Sequence, residues 1–166
     1  MTRNLAIFVG VGVVLVAIAL GVIVYGNKGS HLELKGEIIK IRTGAIDEHN
    51  SAAVLDFRVQ NVSDIPFVVG DVKVFAEPAN GEKTEAIIIS KSDFKQLLDF
   101  NKFLGKQFNE GLSLRDRVPP HQTIDRMVAV RFEMPHSQLE QSKQIRLWIR
   151  DVDGPEFEMA KPLDGK

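Results

Sequence analysis

The chain has 166 residues, is 44% hydrophobic and 26% charged, and carries a formal net charge of −1. Arg3 and Lys28 are the only charges among residues 1–30; the remainder holds 19 basic and 22 acidic side chains, a net of −3, without the clustered positive charge that nucleic acid requires. The absence of cysteine excludes disulfides, thiolate nucleophiles, iron–sulfur ligation and cysteine lipidation, and roughly 130 residues beyond the apolar start suffice for one domain with a single core.

Leu5–Tyr25 is a run of 21 residues without a charge. A hydrocarbon layer about 30 Å thick needs about 20 apolar residues at about 1.5 Å each. The run therefore predicts a transmembrane signal anchor over residues 1–26, touching membrane lipid through Leu5–Tyr25. A cleaved secretory signal is the rival reading. Arg3 would be its charged start and Ala17-Ile18-Ala19 its cleavage site, yet the apolar run continues to Val24. Arg3 and the amino terminus on one side face Lys28 and Lys35 on the other, so the positive-inside count does not decide orientation. A short N-terminal tail, and the fact that a domain translocates largely regardless of its charge, favour a periplasmic or extracellular C-terminal domain. Gly10, Ala17 and Gly21 share a helix face that suits packing against a second span. Residues 27–31 read as a tether.

Beyond the tether the dominant period is two, the mark of half-buried strands. Leu32–Arg42 changes phase between Ile38 and Ile39, as a β-bulge would require. In Val54–Asn61, Leu55, Phe57 and Val59 oppose Asp56, Arg58 and Gln60. Asn61-Val62-Ser63-Asp64 before Ile65-Pro66 is turn chemistry, Asp71–Glu77 alternates more loosely, and Asn80-Gly81 suits a tight hairpin. Between Ser92 and Gly105 the period lengthens: Phe94, Leu97, Leu98 and Leu104 predict a helix capped by Ser92 and ended by Gly105. Phe100 and Phe103 fall on other sides of it, available to a partner or to the membrane. Pro119-Pro120 breaks the chain before Arg126–Glu133 alternates again. Ser137-x-x-Glu140 has the capping-box spacing of a short helix. In Ile145–Val152 the apolar Ile145, Leu147 and Ile149 oppose Arg146, Trp148 and Arg150, and Asp153-Gly154-Pro155 turns the chain toward Phe157–Met159. Together these elements predict a mainly β chain: after the transmembrane helix, an antiparallel immunoglobulin-like β-sandwich over residues 32–160 with an inserted α-helix, then a tail over 161–166.

Two passages carry a resemblance. Ala53–Phe67, with its strand followed by Asn61-x-Ser63-Asp64-x-Pro66, resembles membrane-tethered bacterial immunoglobulin-like domains of unknown function. Val118–Pro135 is similar to the turn and strand of the same families, with His121 where they carry glycine. The resemblance spans residues 32–152; it implies a sandwich facing away from the cytoplasm and no catalytic residues.

The chemistry is sparse. His31, His49, His121 and His136 are scattered, and neither a nucleophile elbow nor a phosphate-binding glycine loop is present. No enzyme activity and no cofactor are expected. Trp148, set between Arg146 and Arg150, is the candidate contact with a protein partner, because tryptophan and arginine dominate interface hot spots. The leading expectation is a membrane-anchored extracytoplasmic module for protein binding or assembly. The alternative is an envelope protein binding calcium or a small ligand through Asp151, Asp153 and Glu156, whose hard oxygens flank a glycine turn. Asn61-Val62-Ser63 also satisfies the glycosylation sequon, although the turn alone accounts for these residue types.

Overall fold

The structure, a computed structural model, describes residues 12–21, 32–78 and 82–163. The chain divides into two compact units, Met1–His31 and Leu32–Lys166. Within the first, residues 12–21 are helical (α1) with exposed side chains. Among the described residues no helix is long and apolar enough to cross a membrane. The rest of the expected span Leu5–Tyr25 and the tether 27–31 lie outside the described residues.

The second unit is mainly β. Its strands are β1 (Leu34–Ala45), β2 (Ser51–Asn61), β3 (Phe67–Pro78), β4 (Thr84–Glu85), β5 (Ile87–Ile88), β6 (Arg117–Val118), β7 (Thr123–Phe132), β8 (Ser142–Asp151) and β9 (Glu156–Pro162). Helix α2 (Lys91–Phe100) and a 3-10 turn (Lys102–Leu104) lie between β5 and β6, and α3 (His136–Glu140) precedes β8. One antiparallel sheet runs β1-β2-β7-β5; the other runs β4-β3-β8-β9, with β6 also paired to β3. Strand β9 ends at Pro162.

Alternation selects the inner faces. Leu55, Phe57, Val59, Val128, Val130 and Phe132 from the first sheet share one core with Val74, Ile145, Leu147, Ile149 and Met159 from the second. The register of β1 on β2 slips between Ile38 and Lys40. Ile39 is the extra residue and is exposed, so it does not join Ile41 on one face as the sequence suggested; Ile41 resumes the inner face instead.

A second core lies on the other side of the first sheet. Ala52, Val54, Met127 and Ala129 point away from the sandwich and are buried under Phe94 and Leu104, with Leu97 and Leu98 packed alongside. Strand β2 is consequently buried on both faces through most of its length. The inserted helix is the cover, and its limits differ from expectation. Ser90, not Ser92, is its N-cap and accepts from the Asp93 amide at 3.3 Å. The helix ends at Asn101, whose Nδ2 donates to the Ala45 carbonyl at 2.7 Å while its Oδ1 accepts from the Phe103 amide at 3.1 Å. Gly44 makes room for this contact, since a Cβ there would meet Asn101 Nδ2 at 2.7 Å. Gly105, at φ 74°, ends the 3-10 turn rather than the helix. The capping box at Ser137 does not form: α3 starts after Pro135, whose ring presets φ near −58°, and Ser137 lies inside it. The Asn80-Gly81 turn lies outside the described residues.

His121 sits at φ 57° in the turn Pro119–Gln122, which the Gln122 amide closes onto the Pro119 carbonyl. Proline second and a positive φ third is the type II pattern, which explains why glycine suits that place.

Candidate functional site

The register of β8 sets the outer face of the second sheet. Trp148 is paired with Lys73 on β3 and Glu158 on β9, and it shares this face with Arg146 and Arg150 as the alternation requires. The three predicted contact residues are thus brought together. The indole is half-buried: the Arg150 guanidinium lies 5.5 Å and the Lys73 ammonium 5.9 Å from its ring centre. Its Nε1 donates to Glu156 Oε2 at 3.2 Å. Arg146 links two strands, with Nε 2.6 Å from Glu77 Oε1 and Nη1 2.7 Å from Glu158 Oε2. Glu77 also receives Lys83 at 3.2 Å. Arg150 reaches Asp71 at 3.6 Å. The face is a ladder of mutually compensated charges around one aromatic ring.

The hydrogen bond from Arg146 and then that from Gln144 hold the Glu77 carboxyl down at about 2, from an ordinary 4.5, and the same pairing raises Arg146. A depressed carboxyl adds stability above its ordinary value and loses it as pH falls toward the folded one. Acid titration should therefore cost the protein stability between about pH 4.5 and pH 2, and Glu77→Gln should flatten that limb in melts recorded across the range. A limb unchanged by the substitution would assign it to other carboxylates.

The predicted metal set does not converge. Asp151 is 3% exposed and points to the inner side, where Oδ2 accepts from the Val68 amide at 2.6 Å and Oδ1 from the Asp153 amide at 2.8 Å. Glu156 serves Trp148, and Asp153 is exposed in the turn. Among the described residues no three His, Cys, Asp or Glu side chains are placed to share a metal ion. Asp151 locks the β8–β9 turn onto β3.

Asn61 is fully buried. Its Nδ2 donates to the carbonyls of Ile65 at 2.7 Å and Val118 at 3.0 Å, and its Oδ1 accepts from the Ser63 amide at 2.9 Å. Ser63 Oγ in turn accepts from the Glu33 amide at 2.6 Å. The sequon is a structural clip joining the start of β1 to the β2–β3 turn and β6, and its amide is not presented to solvent.

The insertion carries features that alternation alone does not reveal. Arg42 on β1 is buried beneath it: Nη2 lies 2.7 Å from Asp56 Oδ2, and Nη1 donates to the Leu104 carbonyl and, at 2.9 Å, to the Lys106 carbonyl. Asn109 Nδ2 donates to the second Asp56 oxygen at 3.1 Å. The Arg42 guanidinium also lies 5.0 Å from the Phe108 ring centre. One arginine thereby straps residues 104–109 to the sheet. Beyond the strap the surface turns apolar: Phe100, Phe103 and Phe108 are 77%, 90% and 67% exposed. Helical periodicity points to Phe100 and Phe103 but not to Arg42, Asp56 or Phe108. The available signal was Val54 beside Asp56 in a set that should have been polar.

No protein-family model matches the chain, and no curated protein matches it. Among solved structures it is similar to the archaellum periplasmic stator protein FlaG from Sulfolobus acidocaldarius, at 12% identity over 78% of this chain and 98% of that one, with a TM-score of 0.33. It is similar also to an uncharacterized beta-sandwich protein from Clostridium difficile 630, at 11% identity over 78% and 80% of the two chains, with a TM-score of 0.33. A flagellar-like filament, Iho670, matches at 12% identity over 95% and 98%, with a TM-score of 0.34.

Proposed function

We propose that this chain is a single-pass, membrane-anchored extracytoplasmic module for protein binding and assembly rather than an enzyme. The length and uninterrupted apolarity of Leu5–Tyr25 support the anchor. The order β1-β2-β7-β5 facing β4-β3-β8-β9 supports an immunoglobulin-like sandwich, since it follows the A-B-E-D and C-F-G orders of that type with one extra strand beside C.

The observation that carries the binding role is Trp148 on the outer face of the second sheet, with Arg146 and Arg150 beside it on the same strand. The insertion covers the first sheet's outer face over Ala52, Val54, Met127 and Ala129; the second sheet leaves these side chains half-exposed or exposed. Tryptophan and arginine are the residue types that concentrate interface energy. Their ion pairs hold the side chains in one geometry before a partner arrives, which lowers the entropic cost of binding. The test is Trp148→Ala in the full chain, followed by chemical crosslinking in native membranes. A hot-spot loss of about 2 kcal/mol, about thirtyfold in affinity, should strongly reduce a specific adduct with the melting curve little changed. An undiminished adduct pattern would remove this face.

A further inference from the structure

We propose that the tip of the insertion is a second contact surface, one that docks onto anionic lipid headgroups. The proposal rests in part on reading Leu5–Tyr25 as an anchor. Its carrying observation is a composition unlike that of the Trp148 face. Phe100, Phe103 and Phe108 project into solvent, and Lys95, Lys102 and Lys106 outnumber Asp99 three to one around one shallow depression that Gln107 also lines. Between residues 94 and 108 the only acid is Asp99, and arginine, tryptophan and tyrosine are absent.

Protein interfaces are depleted in lysine and enriched in arginine. Phenylalanine beside lysine is instead what an acyl boundary under negative phosphates selects: the rings enter the boundary, and flexible ammonium groups meet the phosphates from above. Each fully exposed ring that leaves water contributes in proportion to its apolar area, so Phe103 should contribute most.

Chain length permits the contact on the membrane that holds the anchor. Nine residue steps separate Tyr25 from Leu34, a reach of about 30 Å. The tip is strapped at Arg42, eight steps along β1 from Leu34, or about 26 Å. Confinement by the anchor raises the effective concentration of lipid at the tip, so a contact too weak to hold a free domain becomes populated.

The test uses the full chain in vesicles of phosphatidylcholine, with or without phosphatidylglycerol. The chain has no cysteine of its own, so Gln107→Cys provides a single site for an environment-sensitive fluorophore. Quenching by spin-labelled lipid should be strong with phosphatidylglycerol, weak without it, and reversed by salt. Each lysine neutralised should lower the docked-to-free ratio about fivefold, so Lys102→Glu with Lys106→Glu should lower it by more than an order of magnitude. Phe100→Ser with Phe103→Ser should abolish the quenching. All four side chains are exposed, and an unchanged Trp148 emission checks that the fold persists.

Equal quenching in both lipids, quenching in neither, or crosslinking of position 107 to a protein in native membranes would each overturn the proposal. Trp148→Ala should leave the quenching unaltered, which separates this surface from the other. A full chain that fails to float with phosphatidylcholine would end the anchor reading alone. Lysine-dependent flotation with phosphatidylglycerol would then still support the tip, and its absence would overturn it.

Discussion

Asp56→Ala should destabilise the domain by about 3–5 kcal/mol, the range for removing one partner of a buried ion pair. Both side chains are shielded, with 7% of Arg42 and 6% of Asp56 exposed. After the substitution the guanidinium keeps two carbonyl acceptors and the Phe108 ring but has no counter-charge. Asn109 loses its acceptor at the same time. The double variant Arg42→Met with Asp56→Leu should recover part of the loss, because apolar residues need no compensation; the carbonyls of Leu104 and Lys106 keep the recovery incomplete. Urea unfolding in detergent, read by the single tryptophan on the opposite sheet, measures the global loss. Hydrogen exchange at residues 104–109 should show the strap opening first. A loss below about 1 kcal/mol would mean that water reaches the pair and that the strap is held by packing.

Asn61→Ala is the second large expectation. It strips partners from two carbonyls and one amide at a site with no solvent exposure. Each unpaired buried group costs about 1–3 kcal/mol, and the sum, softened by relaxation, should be about 3–5 kcal/mol. The corresponding fall in Tm is about 10–20 °C for a domain of this size. Asn61→Asp should be at least as damaging although it is isosteric, because it turns an oxygen toward the carbonyls of Ile65 and Val118. A near-normal melt for either variant would show that the turn closes without the clip.

Much of the sandwich was legible because one face of each long strand is apolar and the other is not. The inner residues of β2, β7 and β8 and the phase change in β1 follow from that contrast, and the inserted helix from the change of period at Ser92–Gly105. The second core was hidden, since burial on both sides leaves a strand with no contrast to read: Ala52, Val54, Met127 and Ala129 become core only once α2 and the 3-10 turn lie over them. Helix limits depend on which side chain reaches an amide, and Ser90 and Ser92 offer the same chemistry two residues apart. For the candidate site, parity placed Arg146, Trp148 and Arg150 together. The same parity held a warning about the carboxylate cluster. Asp151 belongs to the set of Ile145, Leu147 and Ile149, so its carboxylate is buried on backbone amides of Val68 and Asp153 and does not meet the Asp153 and Glu156 carboxylates.

The extra residue at Ile39 also bears on how neighbouring copies meet. Strand β1 borders its sheet over 12 residues and, among the described residues, pairs only with β2, long enough to template a stranger's backbone. The slip at Ile39 interrupts the regular spacing of donors and acceptors midway, and Lys35, Glu37 and Lys40 add charge around it. A second copy meeting this edge would find no continuous rail along β1 on which to extend the sheet from one molecule to the next.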